Sequence, residues 1–224
     1  IFRELLYFST QTITTVGYGH VSPVGDGVNV VAAIEALTGF LSLAIATGLI
    51  YGRFSKPKSY LLFSTDALVS PYKNGTALMF RFAGYKDMHS LTDLEVRVNT
   101  GLSLVENGKA DYKYFTLDLE RTKVESMAMS WTVVHPIDEK SPFYGFTEED
   151  MKNADAEIYV SLRGFDDVFS NYVQQRTSYT FNEILFNRKF IPMFRESDDG
   201  KTTILELDKL NVHKAVKIPV ESIL

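Results

Sequence analysis

The segment Thr15-Val16-Gly17-Tyr18-Gly19 lies near the beginning of a 224-residue chain and spells TVGYG. TVGYG is the loop sequence whose backbone carbonyl oxygens replace the water shell of a potassium ion in a selectivity filter. Successive carbonyls must then face one axis, and Gly17 and Gly19 can adopt the positive φ angles that such a loop needs. The segment therefore predicts bound K⁺ at its first four residues, Thr15, Val16, Gly17 and Tyr18. Because one chain supplies one column of oxygens, a complete ring requires several copies.

A helix too short to cross a bilayer is predicted before this loop, at residues 1–14. The negative end of its dipole would point toward the loop and favour a cation there. We interpret this segment as a pore helix. A filter of this kind is held between two spanning helices, so we expect a first transmembrane helix that is missing from the given sequence.

A long apolar stretch follows the loop at residues 28–52, about 25 residues that can cross a bilayer. We interpret it as the inner helix of a pore. Glu35 is its acidic residue, and an acid at membrane depth faces protein or water. Two roles are open for Glu35. It either contributes to a negative ring that concentrates cations, or accepts a hydrogen bond behind the filter or the pore helix.

The inner helix also contains two glycines and a possible gate. Gly39 and Gly48 permit either a hinge or close helix packing. Leu43, Thr47 and Tyr51 recur every four residues and share one face of the helix. If that face lines a pore, the Tyr51 ring could close a dewetted gate. The alternative for Tyr51 is a place in the interfacial aromatic belt.

Three basic residues follow the apolar stretch, namely Arg53, Lys56 and Lys58. The positive-inside rule places this end of the helix in the cytoplasm. The same cations can bind anionic lipid headgroups. Pro57 ends the helix, because proline lacks the backbone N–H that a helix interior requires.

The remainder of the chain has the pattern of a β domain. Hydrophobic residues alternate in three stretches, Leu78, Phe80 and Phe82, then Leu94, Val96 and Val98, then Ile158, Val160 and Leu162. Period two is typical of strands. The turn dipeptides are Asn74-Gly75, Asn107-Gly108 and Asp199-Gly200. We predict an antiparallel, immunoglobulin-like β-sandwich over residues 58–224, with the helical pore segment over residues 1–57.

Three smaller predictions concern a short helix and two histidines. Residues 147–153 predict a short helix that Thr147 caps. His135 precedes a proline and is expected to pack structurally. His20 follows the filter directly and would lie at the outer mouth of a pore.

Composition excludes several classes of function. The net charge is −5 and no basic aromatic stripe is present, so nucleic acid is an unfavourable partner. There is no cysteine, which excludes disulfides and thiolate-bound metals. No dinucleotide fingerprint and no catalytic constellation occur, so we predict neither an enzyme nor a cofactor other than K⁺ in the filter.

Several further segments occur in the order of a known family. They are Lys56-Pro57-Lys58, His135-Pro136-Ile137-Asp138-Glu139-Lys140-Ser141-Pro142-Phe143-Tyr144, Arg176-Thr177-Ser178-Tyr179 and Asn182-Glu183-Ile184-Leu185. With the TVGYG loop they resemble the inward-rectifier potassium channels, and the details are similar to the prokaryotic branch.

The resemblance implies a homotetramer in a bacterial inner membrane, multi-pass, with the C-terminal domain in the cytoplasm. It implies a gate near Thr47 and Tyr51 and contact of the basic residues with phosphoinositide-type lipids. It also implies a cytoplasmic constriction formed by Gly164, Phe165, Asp166, Asp167 and Phe169.

The chain departs from the family at several positions. Strong rectifiers carry an acid where this chain has Leu43, so polyamines or Mg²⁺ should block weakly. Arg163 stands where an acid commonly precedes the constriction glycine, and we expect Asp166 and Asp167 to restore negative charge there. Gln11 and Val21 take the places of a Glu–Arg pair that braces the filter in many relatives.

Two other interpretations compete with this one. A different channel class would require a nucleotide-binding domain after the inner helix, which the alternating strands disfavour. A membrane-tethered immunoglobulin-like binding module without conduction explains the β domain, but leaves the filter glycines unexplained.

Overall fold

A computed structural model describes residues 1–86, 89–106, 109–127 and 129–217. The chain divides into two compact units after Lys56, which we call the helical unit and the β unit. The predicted turn at Asn107-Gly108 lies outside the described residues.

The helical unit contains α1, Phe2–Ile13, and α2, Asp26–Phe54. Helix α2 has a mean hydropathy of 1.9 and is long and apolar enough to cross a membrane, by length and composition. It begins at Asp26, two residues before the apolar stretch, and the Asn29 side chain donates to the carbonyl of Gly25, 2.9 Å away, in its first turn. It ends just before Pro57, as the sequence predicts.

The described part of the β unit forms fourteen strands and one α-helix, α3, at Glu148–Asn153. The strands are β1 Leu61–Phe63, β2 Ala67–Tyr72, β3 Gly75–Gly84, β4 Leu91–Glu106, β5 Lys109–Thr116, β6 Lys123–Ser126, β7 Ser130–Ile137, β8 Glu157–Asp166, β9 Asn171–Thr180, β10 Ile184–Phe186, β11 Arg188–Phe190, β12 Phe194–Glu196, β13 Thr203–Leu205 and β14 His213–Ala215. Two single-turn 3₁₀ helices lie at Phe181–Glu183 and Leu207–Lys209.

The first sheet is built around β3, which pairs with β7 and with β1 and β2. These pairs are antiparallel, as predicted. Strand β10 is the exception, because it runs parallel to β2 with Ile184 opposite Ala67. A parallel neighbour needs a long crossover connection, and here the chain passes through the whole second sheet between β2 and β10.

The second sheet has β4 next to β8 and β9 beyond β8, while β5 and β6 pair with β4. All of these pairs are antiparallel. The two sheets bury one hydrophobic cluster that includes residues of β3, β4 and β8, among them Leu78, Phe80, Phe82, Leu94, Val96, Val98, Ile158, Val160 and Leu162. Each of these nine side chains is 2 % exposed or less, so the predicted β-sandwich is confirmed.

Local signals in the sequence succeed unevenly. Thr147 caps α3 in a capping box with Asp150, as predicted. The hairpin between β2 and β3 differs, because Tyr72 pairs with Gly75 and leaves Lys73 and Asn74 as the turn residues. The positive φ of 49° is at Lys73, so the turn lies one residue earlier than the predicted dipeptide.

A buried arginine attaches the C-terminal segment to the first sheet. Arg81 of β3 is 4 % exposed and donates to the carbonyls of Leu210 and Ile191 at 2.8 and 2.7 Å. It also donates to Lys209 and Val212. Burial lowers the pKa of Arg81 to about 10, so the side chain stays charged at neutral pH. Its donors are satisfied by carbonyls rather than by a carboxylate.

Candidate selectivity filter and cytoplasmic constriction

The TVGYG loop alternates in backbone handedness. Thr15, Gly17 and Gly19 have φ angles of 61°, 55° and 79°, while the two residues between them are not in the positive region. In a strand, successive carbonyls point to opposite sides. Alternating handedness instead turns them to the same side, which is the geometry that a column of ion ligands needs. The positive φ of both glycines agrees with the sequence analysis.

Thr15 is the unexpected member of this series. A β-branched residue at positive φ is a steric outlier, so composition gives no hint of it. The last turn of α1 holds the loop in place. The Gln11 carbonyl accepts from the N–H groups of Val16 and Gly17, at 2.9 and 3.2 Å, and Thr15 N–H donates to Thr12 at 3.1 Å. Gln11 therefore contacts the loop through its backbone.

Helices α1 and α2 are linked by a side-chain hydrogen bond and by a close backbone contact. Ser9 of α1 donates a hydrogen bond from its hydroxyl to the Glu35 carboxylate of α2. This contact corresponds to the second role considered for Glu35, a bond to the pore helix. Four residues further along α2, Gly39 is buried against the end of α1. A Cβ at Gly39 would lie 1.8 Å from the Ile13 carbonyl oxygen.

The two glycines of α2 therefore differ. Gly39 permits close packing, whereas a Cβ at Gly48 would meet no atom of the described residues within 4 Å. Gly48 keeps both roles open, and its hinge role stays a prediction.

The gate residues are exposed within a single chain. Leu43 and Tyr51 are 63 % and 72 % exposed, and Thr47 lies between them on the same face. Ile45 and Leu49, each two residues after a member of that face and so on the far side of the helix, are exposed to a similar degree, at 62% and 71%. Exposure therefore does not distinguish a pore-lining face, and the gate stays a prediction.

The basic residues after the gate are also exposed. Arg53 lies in the last turn of α2, where a cation is favourable beside the helix C-terminus. Within the part of the chain that the structure describes, Arg53, Lys56 and Lys58 form no ion pair with an acid. They are available for an external anion.

The predicted constriction lies at the end of β8 and in the turn to β9. Gly164 sits close to β4, since a Cβ there would lie 2.5 Å from a methyl group of Leu94. Phe165 contacts the Tyr172 ring edge-on, with centroids 5.4 Å apart. The Arg163 guanidinium lies over the same ring, 4.2 Å from the Tyr172 centroid. Close packing of β8 on β4 thus requires glycine at this position.

The expectation for Asp166 is wrong. Its carboxylate is completely buried and accepts hydrogen bonds from the N–H groups of Val168 and Phe169, both at 2.9 Å. Its other oxygen lies 2.8 Å from Nδ1 of His89. Asp166 therefore shapes the turn and presents no charge to a pathway. Asp167 is exposed and remains the acid that can do so.

His135 packs structurally, as expected. It is 3 % exposed, with Nδ1 2.6 Å from the carbonyl oxygen of Asp118 and Nε2 2.8 Å from Ser141 Oγ. Burial lowers the pKa of His135, because the charged imidazolium is poorly solvated there. The histidine motif thus closes a β-domain loop and carries no chemistry.

Sequence reasoning considered a bond from Glu35 to the pore helix but did not identify Ser9 as its partner. It missed the positive φ of Thr15 and the His89 contact with Asp166, which have no local signature. His89 and Asp166 are 77 positions apart, so only a prediction of strand register could have placed them together.

Comparison with known proteins identifies the two units separately. Residues 61–224 match the family described as inward rectifier potassium channel C-terminal domain. Residues 2–56 match a family described as ion channel.

Curated relatives extend over almost the whole chain. The chain is 34% identical to the inward rectifier potassium channel Kirbac3.1 of Paramagnetospirillum magnetotacticum, over 94% of this chain and 71% of that protein. It is 29% identical to human inward rectifier potassium channel 18, and 30% identical to mouse ATP-sensitive inward rectifier potassium channel 12. Each of these two matches covers 97% of this chain and 52% of the relative, so the chain spans about half of their length.

A spanning helix, a β domain and both matches thus agree in their order along the chain. The relatives are ion channels and not enzymes. The chain belongs to the inward rectifier potassium channel family, in its prokaryotic branch.

Proposed function

We propose that this chain is one subunit of a potassium-selective channel in which four copies surround the pore. The alternating φ angles of the TVGYG loop carry this proposal. This alternation suits a column of carbonyl oxygens, and four such columns would complete the rings that replace the hydration shell of K⁺. No observation on the described residues favours the alternative of a tethered binding module. Such a module would not require a threonine at positive φ.

The proposed location is the cell membrane, specifically a bacterial inner membrane, with a multi-pass topology. The exposed apolar surface of α2 supports lipid contact, since side chains on several faces of the helix lack partners in the described chain. Arg53, Lys56 and Lys58 support a cytoplasmic position for the β unit.

Two constrictions are proposed to control conduction. The first is the ring of Tyr51 side chains, with Thr47 and Leu43 on the same face of α2. The second is the turn after β8, where Asp167 remains the exposed acid. The transported ion is proposed to be K⁺, and no other bound group is proposed.

Rectification is proposed to be weak. An acid that faces the cavity attracts polyamines, and this chain has Leu43 at the position where strong rectifiers carry one. Glu35 is engaged by Ser9 and so is poorly placed to compensate. Voltage clamp with internal spermine or Mg²⁺ tests this, because steep block of outward current would contradict weak rectification.

Anionic lipids are proposed to modulate the channel through Arg53, Lys56 and Lys58. Their cationic groups lack acidic partners among the described residues, which leaves them free for phosphate headgroups. Replacing all three by glutamine should abolish any difference in flux between liposomes with and without phosphoinositide. A difference that persists in the triple variant would remove these residues from lipid recognition.

The complete protein in liposomes tests the main proposal. We expect uptake of potassium or rubidium that excludes sodium and is blocked by barium, from a protein that is tetrameric in detergent. A monomer that carries no flux would overturn it.

A further inference from the structure

Three side chains from separate parts of the β unit, those of His89, Tyr60 and Phe169, lie together beside the buried carboxylate of Asp166. The His89 imidazole, from the loop between β3 and β4, lies with Nδ1 2.8 Å from Asp166 Oδ2. The His89 ring centroid is 4.2 Å from that of Tyr60 and 5.0 Å from that of Phe169. Tyr60 and Phe169 stack on each other at 6.2 Å. We call this cluster the His89–Asp166 latch.

We propose that the protonation state of His89 determines how firmly the turn between β8 and β9 is held, so that the latch makes this turn sensitive to pH. The buried carboxylate of Asp166 connects His89 with the turn. It is 0 % exposed, and its other oxygen receives the Val168 and Phe169 N–H groups that define the turn. Any change at His89 therefore acts on the acceptor that shapes the turn.

Among the described side chains near Asp166, His89 is the one that can carry a positive charge and that faces the carboxylate. The side chain of His89 is 12% exposed, and its ring contacts Tyr60 and Phe169 as well as the carboxylate. Lys86 is nearby, but its ammonium lies over the Tyr60 ring, 4.2 Å from the centroid. Tyr85 packs edge-on against Tyr60 at 5.7 Å. Among the described residues, Asp166 has no lysine or arginine as an ion-pair partner.

The direction of the effect follows from these contacts. Imidazoles change charge between about pH 5 and pH 8. A protonated His89 pairs its charge with the buried carboxylate in a poorly solvated site, where an ion pair is little screened. A neutral imidazole can still donate from Nδ1, but the buried carboxylate then lacks a countercharge, which is unfavourable. Acid should therefore tighten the turn, and alkali should loosen it.

The latch also includes the segment that leads into the β unit. Tyr60 directly precedes β1 and follows Lys58 by two residues in the sequence. The Tyr60 carbonyl accepts from Tyr85 N–H at 3.1 Å, and the Ser59 hydroxyl donates to Gln175 of β9 at 2.5 Å. A looser latch would therefore release the turn and Tyr60 together. Its consequence for conduction depends on the proposed function, whereas the latch itself does not.

Hydrogen exchange of the complete channel in nanodiscs, at about pH 5 and about pH 8, tests the latch at the two ends of the imidazole range. After correction for intrinsic exchange rates, the peptide over residues 165–171 should lose protection about tenfold at the higher pH, because the buried carboxylate then lacks the charge of its partner. His89→Gln keeps a donor but cannot titrate. It should show the same protection at both pH values.

Controls separate the latch from general pH effects. His213→Gln, a change at a histidine of β14, should keep the wild-type difference. Asp166→Asn should lower protection at both pH values, because a neutral amide oxygen is a weaker acceptor. The peptide over β2 and β3 should not respond to pH.

Three results would overturn the proposal. They are a wild-type turn without pH response, a His89→Gln turn with the wild-type response, and an equal response of the β2–β3 peptide. Rubidium uptake at the two pH values, measured in parallel, should differ in the wild type and not in His89→Gln. If no protein conducts while the exchange pattern holds, the channel proposal fails and the latch stands.

Discussion

The helical unit and the β unit differ in how much of their surface they bury within one chain. In the β unit, nearly every position on the inner faces of two sheets is buried in one cluster. In residues 1–56, all of which the structure describes, Gly39 alone is buried. The β unit thus contains its own core. Within one chain the apolar surface of the helical unit stays uncovered, and the proposed channel would cover it with lipid and further copies of the chain.

The first prediction tests the internal stability of the β unit. Arg81→Met should lower the free energy of unfolding by about 3–5 kcal/mol, because several buried carbonyls lose their donor. The measurement is chemical denaturation of the complete protein, followed by the fluorescence of Trp131, the single tryptophan. Arg97→Met is the matched control, since Arg97 is 75% exposed and should change stability by less than about 0.5 kcal/mol. Equal midpoints for both variants would contradict this role of Arg81.

The second prediction tests the close approach of α2 to the end of α1 at Gly39. Gly39→Ala should separate α1 from α2, since its methyl group would overlap the Ile13 carbonyl, and overpacking costs about 1–3 kcal/mol. Gly48→Ala should be neutral or slightly stabilising, because its surroundings are open and alanine favours helices. Recovery of tetramer after solubilisation, with rubidium uptake, distinguishes them. Normal flux in Gly39→Ala would show that this packing is dispensable.

The two units also differ in how far the sequence predicts them. Alternation of Leu94, Val96 and Val98 reports directly on a two-faced strand, so the sandwich followed from local pattern. The turn at Lys73 and the parallel pairing of β10 did not, because both depend on register between strands. Register is set by contacts across the whole domain.

The candidate site was predicted in part for similar reasons. The glycines of TVGYG predict positive φ angles, because only glycine adopts such angles without strain. Thr15 has the same angle with no such signal, since the loop around it imposes the conformation. Burial of Asp166 was missed, because its partner His89 lies on a loop 77 positions away in the sequence. In addition, an acid near a predicted constriction suggests a charge that faces the pore.

The third prediction concerns the bond between the helices. Ser9→Ala leaves the Glu35 carboxylate without its donor, which costs about 1–3 kcal/mol for a poorly solvated acceptor. The melting temperature of the detergent-solubilised channel should fall by several degrees. Ser42→Ala, an exposed change on α2, is the control and should leave melting unchanged. If both variants melt alike, Glu35 does not depend on Ser9.

The smallest effect is expected at His135. Burial lowers its pKa, so the folded state binds fewer protons than the unfolded state. Stability is therefore complete above the unfolded value of about 6.5 and decreases as the pH falls below it. Denaturation followed through Trp131 should show a decline from about pH 7.5 to about pH 5, and His135→Asn should reduce the slope. A slope that is unchanged in the variant would assign the decline to other groups.

Rubidium uptake by Gly17→Ala and Gly27→Ala channels tests most directly whether the TVGYG backbone conducts. Both glycines have open surroundings, but only Gly17 has a positive φ, of 55°. Alanine there costs about 1–2 kcal/mol in each copy of the proposed tetramer, so uptake should fall at least tenfold in Gly17→Ala and persist in Gly27→Ala. Equal uptake by the two variants, or wild-type uptake of sodium as fast as rubidium, would contradict the account.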